Sequence, residues 1–231
     1  RLKAELRTEL ERLRWCSCFS FGHALSPFRA RNRNRFFVFF GLRMEPKPPI
    51  RERLLALRRG LQPNEALRKS ESIRAQLWLL PEFHVAGRVF TYVSAKDNEV
   101  DTRAIITELL EEGREVACPC TAADRSITWR QIESTTDLVP ARYGIPEPHA
   151  DCPILMPNSG SVMLVPGIAF SPDGGRIGYG AGFFDRFLAE CPGISIGLGY
   201  DFQIVDRIPV EPHDIPVHIV VTETAVYRAA K

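Results

Sequence analysis

Residues 162–188, VMLVPGIAFSPDGGRIGYGAGFFDRFL, run from an apolar strand through a loop with five glycines into an amphipathic helix that carries an aspartate in its first turns. Gly174, Gly175, Gly178, Gly180 and Gly182 let the backbone adopt positive φ and approach a ligand closely. The helix start after Gly182 offers unpaired N–H groups at the positive end of a dipole, which suits a phosphate. Asp185 then needs a counter-charge, because a carboxylate beside bound phosphate repels it unless a divalent cation such as Mg²⁺ lies between them. The unit reads as the ligand-holding turn of an α/β protein, best matched to a metal–nucleotide complex. The plainer alternative is a glycine loop that only turns the chain.

Two known phosphate motifs help to narrow this reading. There is no Gly-Lys-Ser/Thr ending and the only lysine after Lys96 is Lys231, so a Walker-type loop is excluded and Arg176 must supply the charge. The glycines follow G-x-G-x-G rather than G-x-G-x-x-G, yet Asp201 follows a strand about twenty residues on, as a dinucleotide site requires. A dinucleotide-dependent oxidoreductase therefore stays open as an alternative.

The 231 residues are 45% apolar and 25% charged, which suits a soluble globular chain with one sizeable core. Residues 1–43 hold ten basic and three acidic residues, leaving 20 basic and 25 acidic in the remainder. The body is thus mildly acidic, which argues against nucleic acid as a partner. Apolar runs near the start, such as 36–40, fall far short of the ~20 residues of a membrane span, so no membrane role is expected. Six cysteines without an evident signal peptide point to reduced thiols in the cytoplasm. Cys118-Pro-Cys120 has no second Cys/His pair to complete a zinc site and reads as core edge.

Residues 1–43 lack methionine and lack helix or strand periodicity after a charged opening, so they read as an extension peripheral to the fold or a mis-assigned start before Met44, with 44–231 as one domain. After Lys47-Pro48-Pro49, one helix is expected to stop at Gly60 and a second to be closed by Pro81. The prolines place Lys47 ahead of the first turn rather than inside the helix. A strand over 88–93, a helix capped by Asp101 or Thr102 with Ile105, Ile106, Leu109 and Leu110 on one face, and a strand from 115 form a βαβ unit. Further strands are expected at 126–130, 162–165, 194–199 and 218–221, giving a three-layer α/β sandwich with a mostly parallel sheet. In such sheets the loops after Val93 and Val165, together with Asp201, face one crevice beyond the strand ends.

LVPGIAFSPDGGRIGYGAGFFDRFL resembles the signature of the 5-formyltetrahydrofolate cyclo-ligases. So do Lys47-Pro-Pro-Ile-Arg51, Asn98-Glu99-Val100-Asp101-Thr102, Tyr143-Gly-Ile-Pro-Glu147-Pro and Pro209-Val-Glu-Pro-His-Asp214, in the same order over most of 47–223. The resemblance implies a NagB/RpiA/CoA-transferase-like fold and ATP- and Mg²⁺-dependent conversion of 5-formyltetrahydrofolate to 5,10-methenyltetrahydrofolate in a cytoplasmic monomer. It implies a nucleotide cradle of Arg176, Ile177, Gly178, Tyr179, Gly180, Ala181, Gly182, Phe183 and Phe184, with Lys47 and Arg51 as a phosphate clamp. Tyr179, Gly180, Ala181, Gly182 and Phe183 are implied to meet the folate too, with Glu99 on the pterin nitrogens and Val93 on its apolar side. Asp185 and Asp214 are implied to hold the metal, and Arg176 and Asp185 to carry the chemistry.

Trp129 reads either as an added stacking surface or as strand packing. The chain departs from the family pattern in Phe183-Phe184 where Tyr-Tyr is usual, in one extra residue before Glu99, and in His218 where an aspartate is common. The changes remove two phenolic hydroxyls and one negative charge. A folate- or nucleotide-binding relative without turnover is the alternative from another functional class.

Overall fold

The computed structural model describes residues 45–122, 126–141 and 144–229. The expectations for 1–43, Met44 and Tyr143 concern residues outside these ranges. Helix α1, Lys47–Arg59, begins on prolines whose missing N–H groups and fixed φ suit a first turn, and it ends on Gly60. Lys47 is its first residue, so the prolines do keep it from the middle of the helix, but it belongs to the first turn rather than preceding it. Helix α2, Pro63–Trp78, buries Ala66, Ser70, Ile73 and Leu77 along one stripe. It stops before Pro81, which opens a separate one-turn helix, α3, Pro81–His84, rather than closing α2.

Strand β1, Arg88–Thr91, leads through a loop to α4, Arg103–Glu111, and then to β2, Glu115–Thr121, parallel to β1 with Val89 opposite Val116. Thr102 is the N-cap of α4, but its hydroxyl donates to the Tyr92 carbonyl instead of capping the helix, and the Asp101 carboxylate, one residue earlier, accepts from the Arg103 N–H. Strand β3 is Ile127–Ile132, and the short ladder of β4, Leu138–Pro140, with β5, Pro146–Pro148, follows. Strand β6, Ser161–Pro166, runs into a two-residue hairpin of β7, Ala169–Phe170, and β8, Arg176–Ile177. Helix α5, Phe183–Glu190, then crosses to β9, Ile194–Leu198, and the chain finishes on β10, Ile219–Val221, and β11, Val226–Arg228.

The seven-stranded sheet has the order β11-β10-β9-β6-β1-β2-β3, parallel through its five middle strands and antiparallel at each edge. Alternate residues supply two cores, which is the three-layer α/β arrangement expected. Val89, Val116, Leu164 and Ile196 meet Ile73, Leu77, Ile105 and Leu109 of the helices on one face. Phe90, Met163, Val165 and Val220 meet Leu188 of α5 and Phe170 on the other. A third, smaller core seats Ile50 and Leu54 of α1 against Ile168, Ala169 and Ile177, and so fixes α1 to the hairpin that precedes the glycine loop.

The Phe170 ring lies where Cβ atoms on Gly167 and Gly197 would come within 2.4 Å of it, and one on Gly199 within 2.9 Å. These glycines make room for a buried aromatic ring whose burial contributes about 2 kcal/mol.

Candidate active site

Two glycines in the 174–182 segment show its division of labour. Gly174 has φ +87° and a Cβ there would sit 2.2 Å from the Val217 carbonyl, so it closes the fold. Gly182 has φ +69°, and a Cβ there would meet nothing within 4 Å among the described residues. Gly182 is also the N-cap of α5 and brings no side-chain cap, so the first N–H groups of α5 keep their hydrogen-bonding capacity. Gly175 and Gly178 lack the expected positive φ. Their constraint is space: a Cβ on Gly175 would stand 2.5 Å from Ser171 Oγ, and one on Gly178 2.8 Å from Arg176 Nη1.

Arg176 is buried on β8 and donates from Nη2 to Asp185 Oδ1 at 2.8 Å. Its Nε is buried without a hydrogen-bond partner among the described residues. Asp185 Oδ1 also accepts from the Ile215 N–H at 3.5 Å, so the 209–214 segment lies beside the first turn of α5. The 209–214 segment holds Asp214, whose carboxylate accepts from Lys47 Nζ at 2.5 Å and from the Glu211 N–H at 2.7 Å. Burial works to raise the Asp214 carboxyl, and the Lys47 ammonium and the Glu211 N–H outweigh it, leaving Asp214 below the usual carboxylate range. Lys47 also donates to Glu211 at 2.8 Å. Burial works to lower the Lys47 ammonium, and the two carboxylates outweigh it and raise it above its ordinary value. Glu211, His213 and Asp214 bring ligand atoms within 4.8 Å of one another, an oxygen-rich set that passed unnoticed beyond Asp214.

Arg51, one turn after Lys47, donates from Nε to the Gly178 carbonyl at 2.8 Å, and its guanidinium lies 3.6 Å from where a Cβ on Gly180 would stand. The α1 stripe continues to Arg58, which is 2% exposed. Arg58 donates to the carbonyls of Asp97 and Gly167 and to the Tyr179 hydroxyl, and lies 4.0 Å from Glu99. Burial raises the Glu99 carboxyl above its usual range, with Arg58 pulling the other way. Burial also raises the Tyr179 phenol, and Glu99 adds to it. Sequence reasoning missed Arg58 because Lys47 and Arg51 suggest a solvated basic face. Its signal was its place four residues after Leu54, in the stripe that buries Ile50.

The loops after β1 and β6 therefore meet on the buried Arg58. Asp201 does not join them: its N–H donates to Glu223, and its Oδ2 accepts from Thr224 Oγ1. The dinucleotide alternative, which needs that carboxylate facing the glycine loop, gains no support. Val93 is buried in the main core and lines a cavity of about 200 Å³ with Arg103, Ile106, Thr135, Leu138 and Pro146. Trp129 is buried against Phe90, Phe184 and Phe187, which is packing. Phe184 shares that cluster and lies under the Arg176 guanidinium, and Phe183, Ile177 and Ala181 belong to the same β8-to-α5 segment. His218 bonds to Ser195 at the start of β9 rather than to Asp214. Cys118 is buried and Cys120 half-buried, both as free thiols.

The sequence profile of the 5-formyltetrahydrofolate cyclo-ligase family matches residues 43–223. A 5-formyltetrahydrofolate cyclo-ligase of Escherichia coli K12 is 30% identical over 177 residues, 74% of this chain and 97% of that protein. One from Mycolicibacterium smegmatis is 32% identical over 184 residues, 76% of this chain and 93% of that protein. The solved structure of Aquifex aeolicus 5,10-methenyltetrahydrofolate synthetase superposes with a TM-score of 0.71 at 33% identity, covering 80% of this chain and 93% of that one.

Proposed function

The chain belongs to the 5-formyltetrahydrofolate cyclo-ligase family, and from that premise we propose that it closes 5-formyltetrahydrofolate to 5,10-methenyltetrahydrofolate with ATP and Mg²⁺. One observation carries the assignment to this site: an uncapped helix start behind Gly182, with Lys47, Arg51 and Arg176 around it. The open space over Gly182 and the unpartnered Arg176 Nε fit a triphosphate, which supplies both the volume and the acceptors that these groups lack.

Asp185 and Asp214 offer hard carboxylate oxygens of the kind Mg²⁺ takes, with Glu211 adjacent. A bound Mg²⁺ supplies neutralisation of phosphate charge at that point. The chain's own residues do the remaining work. Arg51 props the glycine loop from below at Gly178 and Gly180, Lys47 and Arg176 face the phosphates, and Tyr179, Gly180, Ala181, Gly182 and Phe183 form the wall between nucleotide and folate. Ile177 anchors this wall in the core, and Phe184 holds it against Trp129. Glu99, nearly buried beside Arg58, accepts from the pterin N–H groups, and Val93 bounds the apolar side.

A formamide oxygen is a poor leaving group, and phosphoryl transfer corrects that. The γ-phosphorus exchanges its bond to the β–γ bridging oxygen for one to the formyl oxygen, and ADP leaves. The folate's second nitrogen then attacks the formyl carbon and gives up its proton to solvent, the carbon–oxygen bond breaks, and inorganic phosphate departs. Positioning and charge neutralisation provide most of the rate. In this reading residues 44–231 form one catalytic unit that works as a cytoplasmic monomer, without nucleic acid or membrane. Among the described residues no helix is long and apolar enough to cross a membrane.

The test is to follow methenyl-folate absorbance in purified protein supplied with 5-formyltetrahydrofolate, with and without ATP and Mg²⁺. Product is expected only when both are present. Equal product without nucleotide, or none with it, removes the assignment.

A further inference from the structure

Arg58 is the most heavily engaged buried cation in the described structure, and the chemistry above leaves it without a task. Its Nε reaches the Asp97 carbonyl at 2.8 Å, its Nη1 the Gly167 carbonyl at 3.0 Å, and its Nη2 the Tyr179 hydroxyl at 2.5 Å. These acceptors belong to three segments: the loop after β1 that carries Glu99, the turn between β6 and β7, and the glycine loop. A guanidinium is suited to this, because its five donors lie in one rigid plane and can serve several acceptors at once.

The Glu99-bearing loop needs such a hold. Asp97 and Asn98 have φ of 54° and 51°; Asp and Asn visit this left-handed region more readily than other L-residues, but two in succession are uncommon and gain from groups that hold them. The fixing groups come from the C-terminal end of α1. Arg58 Nε takes the Asp97 carbonyl, Arg59 Nε takes the Asp97 carboxylate at 2.7 Å, and Asn98 Nδ2 donates to the carbonyls of Arg58 and Leu61 at 3.0 Å each. Tyr179 closes the circuit by donating to Asp97 Oδ2 at 3.0 Å, so the glycine loop and the Glu99 loop touch each other as well as sharing Arg58. Seven residues earlier on the same helix stripe, Arg51 holds Gly178. The rod α1 therefore grips the glycine loop at two points and the Glu99 loop at one end.

We propose that Arg58 is a positioning residue that couples nucleotide binding to folate binding, by locking the Tyr179 end of the glycine loop to the loop that presents Glu99. Nucleotide that orders the glycine loop then orders the folate loop in the same step, and each ligand tightens the other by the same factor. The inference rests on the functional reading above, in which the two loops serve the two substrates.

The experiment measures the Kd of 5-formyltetrahydrofolate by calorimetry on the full chain, alone and with a saturating non-hydrolysable ATP analogue plus Mg²⁺. The wild type is expected to bind folate about fivefold or more tightly with the analogue present, the lower end of ordinary coupling factors. In Arg58→Lys, whose compact ammonium cannot span three acceptors, and in Tyr179→Phe, which loses only the hydroxyl, that ratio is expected to fall to within about twofold of one. Tyr179 is 42% exposed, so its variant keeps the test intact even where Arg58→Lys fails to fold. A merely structural role weakens both affinities and leaves their ratio alone. A wild-type ratio in either folded variant overturns the proposal, as does a wild type that binds both ligands independently. A wild type that binds neither ligand removes the functional reading itself, a distinct outcome.

Discussion

Replacing Gly182 by alanine separates the ligand role of the glycine loop from its folding role. The residue sits at φ +69° and ψ +18°, and a methyl group there meets nothing within 4 Å among the described residues. The folded protein therefore bears only the left-handed strain, about 1–2 kcal/mol. For a domain of this size that lowers Tm by about 2–8 °C. The effect on a bound triphosphate is larger, because the methyl group stands between the phosphate and the first N–H groups of α5. Loss of two charge-assisted hydrogen bonds at about 1.5–3 kcal/mol each lowers kcat/KM for ATP by more than about 100-fold. Gly174→Ala is the control: its Cβ would lie 2.2 Å from the Val217 carbonyl, so its Tm should fall further, while the protein that still folds keeps its KM for ATP. The assay pairs a thermal melt with initial rates over an ATP series. A Gly182→Ala protein with the expected melt and a kcat/KM for ATP within twofold of wild type would refute the cradle.

Asp185→Asn keeps an oxygen for Arg176 Nη2 and the Ile215 N–H, so the fold should survive, while activity and its response to added Mg²⁺ fall together by about 100-fold or more. An unchanged Mg²⁺ titration would take the metal away from Asp185. Asp214 has a depressed folded pKa, so the stability it contributes is present above the ordinary carboxylate value of about 4 and disappears as pH falls through the folded value. The Tm gap between wild type and Asp214→Asn should accordingly be steady from neutral pH to about pH 5 and close below about pH 4. A gap that persists in acid would mean the Lys47 pairing is not its source.

Much of the framework follows from local pattern. The apolar face of Ile105, Ile106 and Leu109 between two short apolar runs announces β1-α4-β2, and the passage from an apolar strand through glycines to a helix announces β6 to α5. Strands of two or three residues carry no period, so β4, β5, β7, β8 and β11 are not legible in the sequence, whereas β10, equally short, stands out as the apolar run Ile219–Val221. Gly197 and Gly199 have no local explanation, since the Phe170 ring that requires them comes from a distant hairpin. The candidate site divides in the same way. Motifs bring Lys47, Arg51, Arg176, Asp185 and Asp214 to one end of the sheet, but not which cation meets which anion: Lys47 with Asp214, and Arg176 with Asp185. Arg58 was hidden because burial of a guanidinium depends on acceptors from three separate loops, none of which is adjacent in sequence.

Transfer of the phosphoryl group to the formyl oxygen itself is open to direct measurement. Substrate labelled with ¹⁸O at the formyl position, turned over by the wild-type protein with unlabelled ATP and Mg²⁺, should release inorganic phosphate heavier by one ¹⁸O per methenyl-folate formed. Phosphate of ordinary mass, with the label found in water, would contradict the account.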